Sequence, residues 1–157
     1  MTTHFVDVLA IEDAALAQVT NREDMTRWRR RVVRELMRPQ SRYATALRRV
    51  PDSAAGRDFL VTWQGLLTAA VERVLSSENP PEVRSAAGRR HHDRRAADEL
   101  AVLILAALHG GGLLSRVADD PAPLEAALDI ALAPLTTPSA RRGSCPADER
   151  PGGNMNR

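Results

Sequence analysis

Residues 96–135 read AADELAVLILAALHGGGLLSRVADDPAPLEAALDIALAPL, and this stretch decides the fold. From Leu100 to Val117, apolar and small residues occupy nearly every side of a helix. A helix apolar all round needs cover on more than one side. Gly110, Gly111 and Gly112 lie within it, each costing roughly 1 kcal/mol against alanine. A sequence keeps such a cost where another helix backbone must come close, or where the helix breaks. Asp120-Pro121 then caps and starts a last helix, with Pro121 at the first position, where its missing N–H costs nothing. Leu124, Leu128, Ala131, Leu132 and Leu135 form that helix's buried stripe. One face of the 94–118 helix can bury in its own bundle, while the other calls for a second chain. Two such helices per subunit predict a four-helix bundle between two copies, the self-complementary arrangement of a two-fold dimer. Leu103, Ala107, Gly110, Gly111, Leu114, Leu124, Leu128 and Leu132 are the predicted seam. The alternative is a monomer with one buried central helix, kinked at the glycines.

Upstream, the chain reads as further helices separated by Pro, Gly and Asn-Pro signals, with no period-two alternation that would mark strands. The first helix covers roughly 3–19, with Phe5, Val8, Leu9, Leu16 and Val19 on one side. Asn21 is the expected N-cap of the next, and Glu23 and Asp24 suit its first turn. That helix runs to about Arg38 and stops before Pro39. Met25, Trp28, Val32 and Leu36 share one face; Arg27, Arg30, Arg31, Arg34 and Arg38 share the other. A short helix lies around 40–50, with Tyr43, Leu47 and Val50. A long one covers about 54–77, carrying an apolar arc from Phe59 to Val74. ENPPEVRSAAGRRHH is read as a loop, with Asp93 capping the helix that follows. The fold class is an all-α bundle of about six helices over 1–135, with residues 136–157 as a disordered tail rich in Pro, Gly, Ser and charge.

Composition narrows the function. Aromatics are 3% of the 157 residues, so the core rests on Leu, Val and Ala. Lysine is absent and all 22 basic residues are arginine. Residues 1–135 hold 18 arginines against 18 acids, so the excess charge of +2 lies in the tail. Within the body, Arg27 to Arg49 holds nine arginines against Glu35 alone. That cluster could touch phosphates, but its arginines lie opposite an apolar face, as on any solvated helix, and no aromatics interleave for base stacking. Cys145 stands alone, which excludes a disulfide framework and a cysteine zinc module. No phosphate loop, serine elbow or paired carboxylates stand out, so no enzyme and no cofactor is expected. His91-His92 with Asp93 is too sparse for a metal site. The apolar run Leu100 to Leu108 is too short for a bilayer, and MTTHFVDVLAIED lacks a signal peptide's basic start. The expectation is a cytoplasmic protein without membrane contact.

Residues 96–135 resemble the C-terminal end of tetracycline-repressor (TetR) type regulators. The resemblance rests on the Ala/Leu-rich helix with Gly111 to Leu114, the Arg116-Val117 turn, the Asp-Pro-Ala-Pro-Leu start at Asp120 to Leu124, and the Ala/Leu final helix. Upstream, the helices match in order and length only. The resemblance implies an all-helical domain that dimerises through its last two helices and encloses a small, mostly apolar effector. It also implies DNA-binding heads, which have no counterpart here. The expectation is therefore a headless relative or a truncated regulator, reaching DNA only through a missing or partner-supplied helix-turn-helix. An alternative is an interaction protein that pairs with a full-length regulator and blocks its DNA binding, since a palindromic operator needs two heads.

A sensor pocket is mostly apolar with a few polar groups. Arg29 projects near Met25 and Leu36, placed for a ligand carboxylate, for a buried Asp or Glu of its own fold, or to snorkel to solvent. Gln64 lies at the edge of the long helix's arc, as a ligand donor or an ordinary boundary residue. His109 faces either pocket or seam, or is a satisfied structural histidine. Trp28, Phe59, Trp63 and Leu67 complete the candidate lining, with simple core as the alternative for the aromatics.

Overall fold

The computed structural model describes residues 3–50, 53–78 and 86–136. Six helices follow in order: α1 (Thr3–Ala17), α2 (Arg22–Met37), α3 (Arg42–Arg49), α4 (Ala54–Glu78), α5 (Ala86–Ala118) and α6 (Ala122–Thr136). No strand occurs among the described residues, and the chain is an all-α bundle.

Each junction has a chemical cause. The Asn21 side chain accepts from the Asp24 amide at 3.0 Å, capping α2 as expected. Asp24 answers by accepting from the Thr20 amide and hydroxyl. Those two bonds, backbone first, hold the Asp24 carboxyl below its ordinary value. Arg38 leaves the helix in an extended conformation ahead of Pro39. Gln40 then takes a left-handed φ of 60°, and Ser41 caps α3 through the Ala44 amide. Asp120 caps α6 by accepting from the Ala122 amide at 2.9 Å.

α5 is the central element, packing most extensively on α6 and α4. α1 lies across α4 and α3, and α2 touches α3, α5 and α6. The core is continuous from Phe5 on α1 to Leu135 on α6. Polar ties also link its elements. Arg73 donates to the Val19 and Leu16 carbonyls, satisfying the end of α1 from α4. The Thr68 hydroxyl on α4 donates to the Asp98 carboxylate on α5 at 3.0 Å.

The structure corrects two expectations. Residues 86–92, read as loop, are the first two turns of α5, so Asp93 lies inside that helix rather than at its cap. Thr136, assigned to the tail, closes α6; residues 137–157 lie outside the described part. The helix read over 94–118 is continuous: α5 passes unbroken through Gly110, Gly111 and Gly112, with no left-handed φ at any of them. His91–Ala118 is, by length and composition, apolar enough to cross a membrane, a property the shorter run Leu100–Leu108 concealed. In the bundle 44% of its most apolar window is buried inside the protein.

Candidate functional site

The centre of the bundle is a carboxylate. Glu12 is fully buried on the inner face of α1, where Phe5, Val8 and Leu16 continue the same stripe. Its Oε2 accepts from the Trp28 indole at 2.8 Å and the Trp63 indole at 3.3 Å. Its Oε1 accepts from the Tyr43 hydroxyl at 2.6 Å and from the Arg31 guanidinium. Arg31 also donates to the Tyr43 oxygen at 3.0 Å. One side chain thereby joins α1, α2, α3 and α4. A buried charge is tolerable only when paired and hydrogen-bonded, and this one has four donors. Burial, then the adjacent carboxylate, push the Tyr43 phenol well above its ordinary value. Burial works against the Arg31 charge, but Glu12 outweighs it and holds the guanidinium above its usual value.

The aromatic ligand candidates belong to this centre. Phe5 stacks on Phe59 at 4.7 Å, Phe59 tilts against Trp63 at 5.4 Å, and Tyr43 meets Trp63 edge-on at 5.9 Å. Phe59, Trp63 and Leu67 have no exposed surface, so the expected apolar lining is packed core. Trp28 borders an open groove of about 410 Å³ between α1 and α2, but its indole is spent on Glu12. Arg29 bonds to Asp129 at 2.7 Å and to the Glu125 carbonyl at 3.1 Å, so it clamps α2 to α6. Its partner is an acid of its own fold, but an exposed one rather than the buried acid expected. Gln64 is half-buried on α4 and His109 is exposed on α5.

The predicted seam separates into two groups. Leu124, Leu128 and Leu132 are buried within their own chain, as are Ala107 and Gly111. A Cβ on Gly111 would stand 2.9 Å from the Leu124 Cα and 3.1 Å from the Ala127 Cβ. The backbone that this glycine admits is therefore α6 of the same chain, not a second copy. Ser115, buried one turn later, accepts from the Leu124 amide at 2.9 Å and fixes the start of α6 against α5. The remaining seam residues face outward: Leu103, Leu114 and the unobstructed Gly110.

Around them lies a larger apolar face. Val102, Leu113 and Val117 on α5 and Ile130 on α6 are exposed, up to 81% at Val117. On α5 the outward residues Leu103, Ala106, Gly110, Leu113 and Val117 follow steps of three and four, the spacing of a helix–helix seam. Ala126, Ile130 and Ala133 continue the face on α6. Six of the nine large hydrophobics exposed among the described residues lie on this hairpin.

The sequence reading missed the Glu12 centre, although its signal is plain: an acid at the i+4 step between Val8 and Leu16. It also placed Arg31 on a solvated face. Five of the nine arginines between Arg27 and Arg49 are ion-paired, to Asp24, Asp129, Glu12, Glu35 and Asp7, which weakens a phosphate-binding reading. Among the described residues, no three His, Cys, Asp or Glu side chains gather to hold a metal. No family model, no curated protein and no solved structure matches the chain.

Proposed function

We propose that the chain is a dimerisation and sensing domain of the TetR type, pairing two copies through the outer face of α5 and α6. The observation that carries this reading is the open apolar face on a hairpin whose inner face is already filled. Val102, Leu103, Leu113, Leu114, Val117 and Ile130 would otherwise remain in water, an unusual concentration for a lone helical pair. Gly110 adds weight. A Cβ there would meet nothing within 4 Å among the described residues, so no packing seen among them offsets its helix cost, yet it lies midway along the stripe. Two hairpins related by a two-fold axis would bury each stripe against its copy. The effector half of the reading shifts from the filled aromatic core to an open groove.

Light scattering tests the pairing. The parent chain is expected to have the mass of two copies at tens of micromolar. Val117→Asp and Ile130→Asp, both at exposed positions, should give folded monomers. A monomeric parent, or dimers that survive both changes, overturns the proposal.

A further inference from the structure

Arg116 is an arginine that the fold draws inward and leaves unanswered. Its NH1 nitrogen is buried without a hydrogen-bond partner. Arg29 also has one unpartnered nitrogen, its Nε, but its Nη2 is held by both Asp129 and the Glu125 carbonyl. Arg116 shares a groove of about 310 Å³ with Arg48, whose one polar contact is a 3.4 Å bond to the Thr45 hydroxyl. No carboxylate among the described residues pairs with either arginine. We propose that this groove, between the α2–α3 turn and the C-terminal end of α5, binds a small organic monocarboxylate through Arg48 and Arg116.

The chemistry favours that class. A buried unpaired donor is unfavourable, and two guanidinium groups that line one groove repel. An oxyanion between them relieves both at once, and the planar forks of arginine match a carboxylate's two oxygens. Burial, then the charge of Arg48, hold Arg116 below its ordinary value, in keeping with a cation that lacks its counter-ion. Leu36, Met37, Pro39 and Ala44 give the groove an apolar wall beside Arg38, Gln40 and Ser41. Such a wall suits a carbon body rather than a free inorganic ion, and the volume suits a small molecule. Asp119 also lines the groove, so a second negative charge on the ligand would meet a carboxylate. That disfavours dianions. Gln40 and Asp119, the two non-glycine residues with left-handed φ among those described, both border the groove. The site is independent of pairing, since all its residues lie in one chain.

Calorimetric titration of the full chain with benzoate, hexanoate, benzamide and inorganic phosphate tests the assignment. Benzoate and hexanoate should bind saturably at one site, and neutral benzamide at least about tenfold more weakly. Arg116→Gln and the exposed Arg48→Gln should each weaken benzoate binding by about tenfold or more while helical circular dichroism is unchanged. The proposal fails if neither carboxylate saturates, if both variants keep benzoate affinity, or if phosphate binds as tightly as benzoate. None of these results bears on the mass of the assembly, so the two proposals fail separately.

Discussion

Glu12 shows how much one residue can organise. It sits on an apolar stripe where the helical pattern asks for leucine, and four donors from three other helices close on it. Removing any donor leaves the others around a less satisfied charge, and breaking a buried pair typically costs about 3–5 kcal/mol. Tyr43 offers the sharpest test because it is the single tyrosine in a chain without lysine. It therefore stands alone among side chains that ordinarily titrate near pH 10. Its folded pKa is raised, by burial and then by Glu12, so the native state holds the phenolic proton more tightly than the unfolded state. The resulting stability is fully present below about pH 10 and is lost as pH rises above it, by up to about 1.4 kcal/mol per pH unit. Tyrosinate absorbance should appear only together with loss of the helical signal. Tyr43→Phe should remove the alkaline slope while lowering stability at neutral pH by about 1.5–3 kcal/mol, the worth of a bond to a charged group. Tyrosinate forming near pH 10 in a still-helical protein would sink this account.

At the scale of elements, the glycines separate what packing requires from what it merely permits. Gly111 faces α6 so closely that a methyl group there must push against the Leu124 backbone. Gly65 on α4 has open space where its side chain would be. Intrinsic propensity says both should improve on changing to alanine, by roughly 1 kcal/mol. The expected result is divergence in chemical denaturation: Gly65→Ala stabilises by up to about that amount, and Gly111→Ala destabilises. If Gly111→Ala stabilises equally, the close contact of α5 with α6 is not tight. The helices themselves were legible because caps, prolines and apolar steps agreed, as at Asn21 and Asp120. Residues 86–92 were not, since a run of arginine and histidine without an apolar face carries no periodic signal. Nor could periodicity tell which chain occupies the gap at Gly111. An apolar helix needing cover reads the same whether its neighbour is its own α6 or another copy.

At the scale of the whole molecule, that ambiguity becomes a division of labour. The inner face of the α5–α6 hairpin completes the monomer's core, and the outer face stays open. The sequence stripe contained both sets, so Leu124, Leu128 and Leu132 were legible as buried but not as internal. The outer residues Val102, Leu113, Val117 and Ile130 were hidden in a helix apolar on every side. If two copies close over this outer face, folding and association are linked, and stability must depend on concentration. Tenfold more protein should then add about 1.4 kcal/mol per dimer to the unfolding free energy, so the melting temperature climbs with concentration. Val117→Asp should flatten that dependence by putting a charge into the seam. Val61→Asp is the control: Val61 is also widely exposed, at 70%, but belongs to α4 and not to the α5–α6 hairpin. It should leave the slope as it was. A melting temperature that ignores concentration in the parent chain, measured from one to one hundred times a dilute starting solution, would mean that the outer face has no copy of itself to meet.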